Sequence, residues 1–297
     1  MVAGDALAIV VFGALKEGMT VTMSNAGTDN LHAAPTTGLE TIDKGRGVAS
    51  HPNPLLFVHG AAHAAWCWDE HFLDFFAERG FRAVAVSLRG HGGSPAPGRL
   101  SKVSLADYVN DVHSVAGRLP AAPILIGHSL GGFVVQKYLE VHRAPAAVLL
   151  ASAPPQGLLR FMLRSARRHP LRMARATVTG KSVRMINTPP RAREAFFSPE
   201  TAEADVARWA ARFDEESPRP ILDTMFNPAQ PQHVSAPLLV LGAELDRSIT
   251  TSEVHATAGA YRTRAEIFVG MGHDMMLEPR WPAVAERIRT WLASQGW

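Results

Sequence analysis

From Pro54 onward the chain alternates short apolar runs with longer stretches whose apolar positions recur every three or four residues. The runs fall at residues 55–58, 83–88, 124–126, 147–150, 238–241 and 267–269, and most are dense in Val, Ile or Leu. Strands covered on both faces read this way, and strands alternating with helices predict a parallel sheet wrapped by helices. Between the second and third runs, Ser104 opens a helix with Asp107 three residues on, and Leu105, Val109, Val112, Ala116 and Leu119 share one face before Pro120 and Pro123 stop it. Near the end, Trp281-Pro282 starts a helix striped by Val284, Ile288 and Trp291, the expected last layer against the sheet.

The alternation breaks once, over residues 154–233, a stretch of helix-forming composition punctuated by prolines at 170, 189, 190, 199, 218 and 220. It is too long for a crossover and reads as a helical cap inserted into one core formed by residues 31–153 and 234–297. Its apolar residues, Phe161, Phe196 and Phe213 among them, are suited to wall a pocket. Residues 1–30 read as an N-terminal appendage. Within it, residues 6–15 are apolar but too few to span a bilayer, and no Lys or Arg precedes them as a secretory signal requires. The alternating Met19-Thr20-Val21-Thr22-Met23 is its one periodic feature.

A hydrophobic fraction of 46% and a charged fraction of 19% over 297 residues describe a folded globular chain and exclude a disordered or fibrous one. The single cysteine, Cys67, excludes an intrachain disulfide and a cysteine metal cluster; it is expected to pack rather than react, and a cytoplasmic setting is the simplest expectation. Net charge is only +3, but arginines crowd residues 161–175, followed by Arg184, Arg191 and Arg193. Two readings fit: attraction to an anionic lipid surface or acidic substrate, or a solvated helix face paired with the acidic run Asp214-Glu215-Glu216. The second is the expectation adopted. Nucleic acid is not expected as a partner, because no recognition motif or aromatic stacking pattern accompanies the arginines. His59 and His63 are four apart but flank a glycine loop with no third ligand, so neither a metal nor another cofactor is expected.

The chemistry concentrates at three places. Ile124-Leu125-Ile126 leads into Gly127-His128-Ser129-Leu130-Gly131-Gly132 and then a helical pattern, which sets Gly-x-Ser-x-Gly at a strand-to-helix turn. Such a turn exposes a nucleophilic serine above a sheet, and the helix N-terminus beneath favours developing negative charge. After the run at 238–241, Glu244 and Asp246 both lie just past a strand end. After the run at 267–269, Gly270-Met271-Gly272-His273-Asp274 carries a histidine on a flexible loop, and the order Ser, acid, His singles out His273 as the general base. Asp274 is expected to cap the next turn.

Phe57-Val58-His59-Gly60-Ala61, Leu88-Arg89-Gly90-His91-Gly92-Gly93-Ser94, the Ser129 turn, Leu241 to Asp246 and Gly272-His273-Asp274 together resemble the α/β-hydrolase superfamily, from about Pro54 to Trp297. The resemblance implies the α/β-hydrolase fold, a mostly parallel central sheet flanked by helices with an inserted cap. Its spacing selects Asp246 over Glu244 as the acid that orients His273. The loop from His59 to Trp68 resembles that of the methylesterase and hydroxynitrile lyase branch. This implies an oxyanion hole made by the backbone N–H groups of Ala61 and Leu130, with Ala62, His63 and His128 as candidate substrate contacts, His63 reading equally well as a loop histidine bonded to backbone. A serine at 129 sets aside haloalkane dehalogenases and epoxide hydrolases, which resemble this fold but use an aspartate there. The expected activity is hydrolysis of a small, apolar carboxylic ester. A lyase or C–C bond hydrolase, cofactor-free perhydrolysis and a ligand-binding receptor are compatible with the same triad. The oligomeric state is not legible.

Overall fold

A computed structural model describes residues 38–297; the expectations for residues 1–30, including the apolar stretch 6–15 and the alternation at 19–23, lie outside the described residues. The chain forms β1 (Thr41–Lys44), β2 (Leu55–Val58), the short helices α1 (Trp66–Asp69) and α2 (Phe72–Ala77), β3 (Ala83–Val86), α3 (Leu105–Ala116), β4 (Ile124–His128), α4 (Ser129–Val141) and β5 (Ala147–Leu150). Five helices follow, α5 (Leu159–Arg168), α6 (Pro170–Thr179), α7 (Pro189–Phe196), α8 (Glu203–Ala210) and α9 (Pro218–Phe226), and then β6 (Leu238–Ala243), α10 (Thr251–Ala260), β7 (Ala265–Phe268) and α11 (Trp281–Ser294).

The seven strands make one sheet in the order β1-β3-β2-β4-β5-β6-β7. Only β1 runs antiparallel, against β3; the other pairs are parallel. All residues of β2 to β6 are buried, which is why their sequences are continuous apolar runs. Successive residues serve opposite layers: Phe57 and Ile126 pack with Trp68, Phe72 and Met276 on one face, and Leu56 and Leu125 with Tyr108, Phe133 and Val135 on the other. Parallel strands align their carboxyl ends, so the loops after β2, β4 and β6 emerge along one edge, the usual position for an α/β site.

Local signals explain the helices. Ser104 caps α3 by accepting from Asp107 N–H while the Asp107 carboxylate reaches back, the capping box the sequence suggests, and α3 ends at Ala116, short of Leu119. Pro282 stands in the first turn of α11, whose Val284, Ile288 and Leu292 are buried. β3 stops at Val86, short of the run's end at Leu88, β4 and β6 run two residues past their apolar runs, and the two edge strands differ most from the sequence reading. β1, with alternating half-buried and exposed residues, is an edge strand carrying one large apolar side chain, Ile42, too little for a recognisable run. The last strand is Ala265–Phe268 rather than 267–269, because it too lies at an edge, is nowhere fully buried, and leaves Val269 exposed beyond its end. Among the described residues, no helix is long and apolar enough to cross a membrane.

Candidate active site

Ser129 stands at the junction of β4 and α4 with φ +51°, a left-handed conformation that a side chain rarely adopts. The neighbouring glycines make the turn feasible. A Cβ at Gly131 would meet His59 O at 2.2 Å, and one at Gly127 would meet Gly131 O at 2.6 Å. Opposite, a Cβ at Gly60 would lie 2.9 Å from both Ser129 Cβ and His128 Nδ1, so the loop after β2 runs directly against the serine. The N–H groups of Ala61 and Leu130 carry no hydrogen bond among the described residues, and nor do Ser129 Oγ and His273 Nε2. Two unengaged backbone donors beside a partly exposed serine form an arrangement able to hold an oxyanion.

Asp246 follows β6 by three residues, and its Oδ1 accepts from the N–H groups of Ser248 (2.7 Å) and Ile249 (2.9 Å). That fixes the carboxylate so that Oδ2 accepts from His273 Nδ1 at 2.7 Å, both groups being buried. Glu244 is exposed and instead accepts from Gly270 N–H at 2.9 Å, holding the loop that carries the histidine. Burial pulls the His273 pKa down, but the Asp246 charge and its hydrogen bond outweigh it and leave the imidazole above its usual value. Phe196, at the end of α7, stacks over this ring at 5.9 Å between centroids and packs on Phe213 at 5.3 Å, so helical elements between β5 and β6 bring an apolar wall to the histidine.

Behind the histidine lies a buried cluster. His128 Nε2 donates to His273 O at 3.0 Å. Burial, followed by repulsion from His273, pushes the His128 pKa down to about 3, so this ring is neutral. Expected as a candidate substrate contact, His128 is wholly buried, and its ring supports the backbone of the His273 loop. His63, in the loop after β2, has Nδ1 2.8 Å from Ala61 O and Nε2 2.9 Å from Asp274 Oδ2, so its hydrogen-bonding atoms are taken by the protein as in the alternative reading. Asp274 does not cap the next turn with its side chain; it is fully buried against His63. Burial raises its pKa, but His63, His128 and His273 together bring it below the usual carboxylate range. Donor atoms of His128, His273 and Asp274 lie within 4.8 Å of one another, the reach of a metal site. Within this group His128 Nε2 and Asp274 Oδ2 are hydrogen-bonded to His273 O and His63, while Asp274 Oδ1 has no hydrogen-bond partner among the described residues.

The acidic run 214–216 forms no ion pair with the arginines of residues 161–175 among the described residues: Glu215 accepts from the Ser182 hydroxyl at 2.6 Å and Val183 N–H at 3.1 Å, while Asp214 and Glu216 turn to the core. Asp214 donates its N–H to Ala62 O at 2.9 Å and accepts from Gly92 N–H at 2.7 Å. Glu216 accepts from Tyr108 OH at 2.6 Å and from Ala62 N–H at 3.2 Å, and lies 3.3 Å from His91 Nε2. Burial and the Glu216 charge push the Tyr108 phenol up, while for His91 the carboxylate outweighs burial and raises the pKa. Ala62, a candidate substrate contact, is thus buried, held at φ +63° and bonded to Glu216. Nothing local in the sequence marks Glu216, whose partners are 108 and 154 positions away. His59 is structural as well: Nε2 accepts from Leu88 N–H at 2.9 Å and Nδ1 donates to Gly60 O at 2.8 Å, a neutral tautomer consistent with a pKa pushed down by burial. Cys67 is buried, and burial raises its thiol pKa, away from a reactive thiolate.

A sequence profile of the Alpha/beta hydrolase family matches residues 55–287. A non-heme haloperoxidase of Rhodococcus erythropolis is 34% identical over 106 residues, 34% of this chain and 38% of that protein. Methylesterase 18 of Arabidopsis thaliana is 36% identical over 120 residues, 36% of this chain and 44% of that protein. Each match thus spans under half the length of the curated relative. Among solved structures, a thermophilic esterase from Thermogutta terrifontis superposes with a TM-score of 0.68 at 19% identity, covering 87% of this chain and 94% of that one, a likeness of fold.

Proposed function

Because the chain belongs to the alpha/beta hydrolase family, we propose that it hydrolyses carboxylic esters through an acyl-enzyme on Ser129. The observation that carries this reading is the 2.7 Å hydrogen bond from His273 Nδ1 to Asp246, which leaves Nε2 of the same ring unengaged in the loop that follows β7. In this mechanism His273 Nε2 takes the Ser129 proton as Oγ attacks the ester carbonyl carbon. The carbonyl oxygen gains the negative charge and is held by the N–H groups of Ala61 and Leu130, each worth about 3 kcal/mol. Collapse expels the alkoxide, which receives the proton from His273; a water then loses a proton to His273 and attacks the acyl carbon, and collapse releases the acid as Ser129 Oγ takes that proton back from His273. Asp246 stays ionised and fixes the Nδ1–H tautomer.

Residues 154–233 serve as a cap in this reading, and the rings of Phe196 and Phe213 beside His273 favour an apolar acyl group. Likeness to a haloperoxidase supports a second outcome on the same acyl-enzyme: hydrogen peroxide replaces water as the acyl acceptor and leaves as a peracid. Turnover of nitrophenyl esters of graded chain length, with and without peroxide, tests both. Fluorophosphonate labelling and ester turnover are both expected to vanish in Ser129→Ala; activity surviving that change overturns the mechanism.

A further inference from the structure

Residues 159–191 carry nine Arg and Lys residues and no Asp or Glu, so the formal charge of +3 on the whole chain arises from this one segment. The acidic run forms no ion pair with these cations among the described residues: Asp214 and Glu216 are engaged at Ala62, Gly92 and Tyr108, and Glu215 accepts from the Ser182 hydroxyl and Val183 N–H. Within the segment, Arg164 pairs with Glu253 at 2.8 Å and Arg172 with Glu194 at 3.3 Å. Arg160, Arg167, Arg168, Arg175, Lys181 and Arg184 have no ion pair among the described residues. Leu171, Arg172, Arg175, Lys181, Arg184 and Arg191 line an open groove of about 470 Å³.

The same face is also apolar. Leu171 is 85% exposed and Val178 81% exposed. With Arg175 they occupy positions i, i+4 and i+7 of α6, so two protruding aliphatic side chains flank a cation on a single stripe. We infer that this face, formed by α6 and the turn that follows it, docks on an anionic phospholipid surface. The groove cations would meet lipid phosphates, and Leu171 and Val178 would enter the boundary between headgroups and acyl chains. A nucleic acid or an acidic protein accounts less well for the pattern: it matches the charge but leaves the aliphatic stripe in water, and the stripe carries no aromatic ring for stacking on bases.

Flotation of the full chain with vesicles tests this without reference to ester turnover, so its outcome is independent of the proposed hydrolysis. Binding to vesicles of roughly one-third phosphatidylglycerol should exceed binding to phosphatidylcholine at least tenfold, and should fall as salt rises. Arg175→Glu with Arg184→Glu should abolish it. Leu171→Ser with Val178→Ser leaves every charge in place and should still weaken binding severalfold; these side chains are exposed, so circular dichroism should show an unchanged fold. Equal binding to both vesicle types overturns the inference. So does an anionic-vesicle affinity unaffected by the serine pair, or a preference for single-stranded DNA that competes the vesicles off, since each reduces the face to a general polyanion binder.

Discussion

Nε2 of His63 lies 2.9 Å from Oδ2 of Asp274, and both side chains are buried, so one hydrogen-bonded pair joins the loop carrying Ala61 to the loop carrying His273. Breaking a buried pair from one side leaves an uncompensated group, so Asp274→Ala should destabilise the fold by about 3 kcal/mol. Urea denaturation would measure it. The Asp274 pKa is lowered from its ordinary 3.8, so the pair's contribution is complete above that value and is lost as pH falls through the depressed one. Asp274→Asn should therefore flatten the acid limb of the stability profile. An unchanged limb would show that the pair contributes nothing.

Asp246 and Glu244 make opposite predictions. Removing the charge at 2.7 Å from His273 Nδ1 takes away both the tautomer control and the attraction that raises the ring's pKa, leaving burial to lower it. In Asp246→Asn, kcat/KM should fall about ten-thousand-fold. Wild-type activity should rise with pH through a value above 6.5, because the base works neutral, and the residual activity of the variant should titrate at a lower pH. Glu244→Gln, exposed and bonded to Gly270 N–H, should keep kcat/KM within about threefold, the scale of a surface change. A pH–rate series on both variants separates the two carboxylates.

Gly60 reports on the oxyanion donors. A methyl group there would stand 2.9 Å from Ser129 Cβ and His128 Nδ1, which forces the loop away and carries the next N–H, that of Ala61, out of line. Gly60→Ala should lower kcat by about a hundredfold, with KM nearly unchanged, since the donor acts mainly on the transition state. A rise in KM alone would remove Ala61 from the oxyanion role.

The parts legible in sequence share one property: their signals are local. Gly127, Ser129 and Gly131 must be adjacent in the chain because a strand, a turn and a helix meet there, and the buried strands are apolar over consecutive residues. Position alone could not separate Asp246 from Glu244; the difference is that Ser248 and Ile249 donate to one of them and Gly270 to the other. β1 was invisible because an edge strand has only one face to bury. Asp274 and Glu216 are illegible in the sequence for a related reason. A carboxylate beside a loop is ordinarily solvated, and only tertiary contacts 154 and 211 positions apart show that Glu216 and Asp274 are enclosed.

Glu216 is where the segment between β5 and β6 acts on the oxyanion loop. One carboxylate oxygen accepts from Tyr108 OH and the other from Ala62 N–H, directly after Ala61, with His91 3.3 Å from the latter oxygen. Glu216→Gln keeps the size but has one acceptor oxygen for two donors, so one donor is left unpaired in a buried place, at about 2 kcal/mol. Tyr108→Phe removes one donor and relieves that conflict, so the double variant should recover part of the stability lost in Glu216→Gln. If the carboxylate also sets the Ala62 backbone at φ +63°, Glu216→Ala should lower kcat for short esters as well as for long ones, because the donor at Ala61 shifts whatever fills the acyl pocket. A loss confined to long acyl chains would assign Glu216 to the pocket wall instead, and equal kinetics with lower stability would make it a strut alone. Steady-state kinetics over two chain lengths, read beside urea midpoints, distinguish the three.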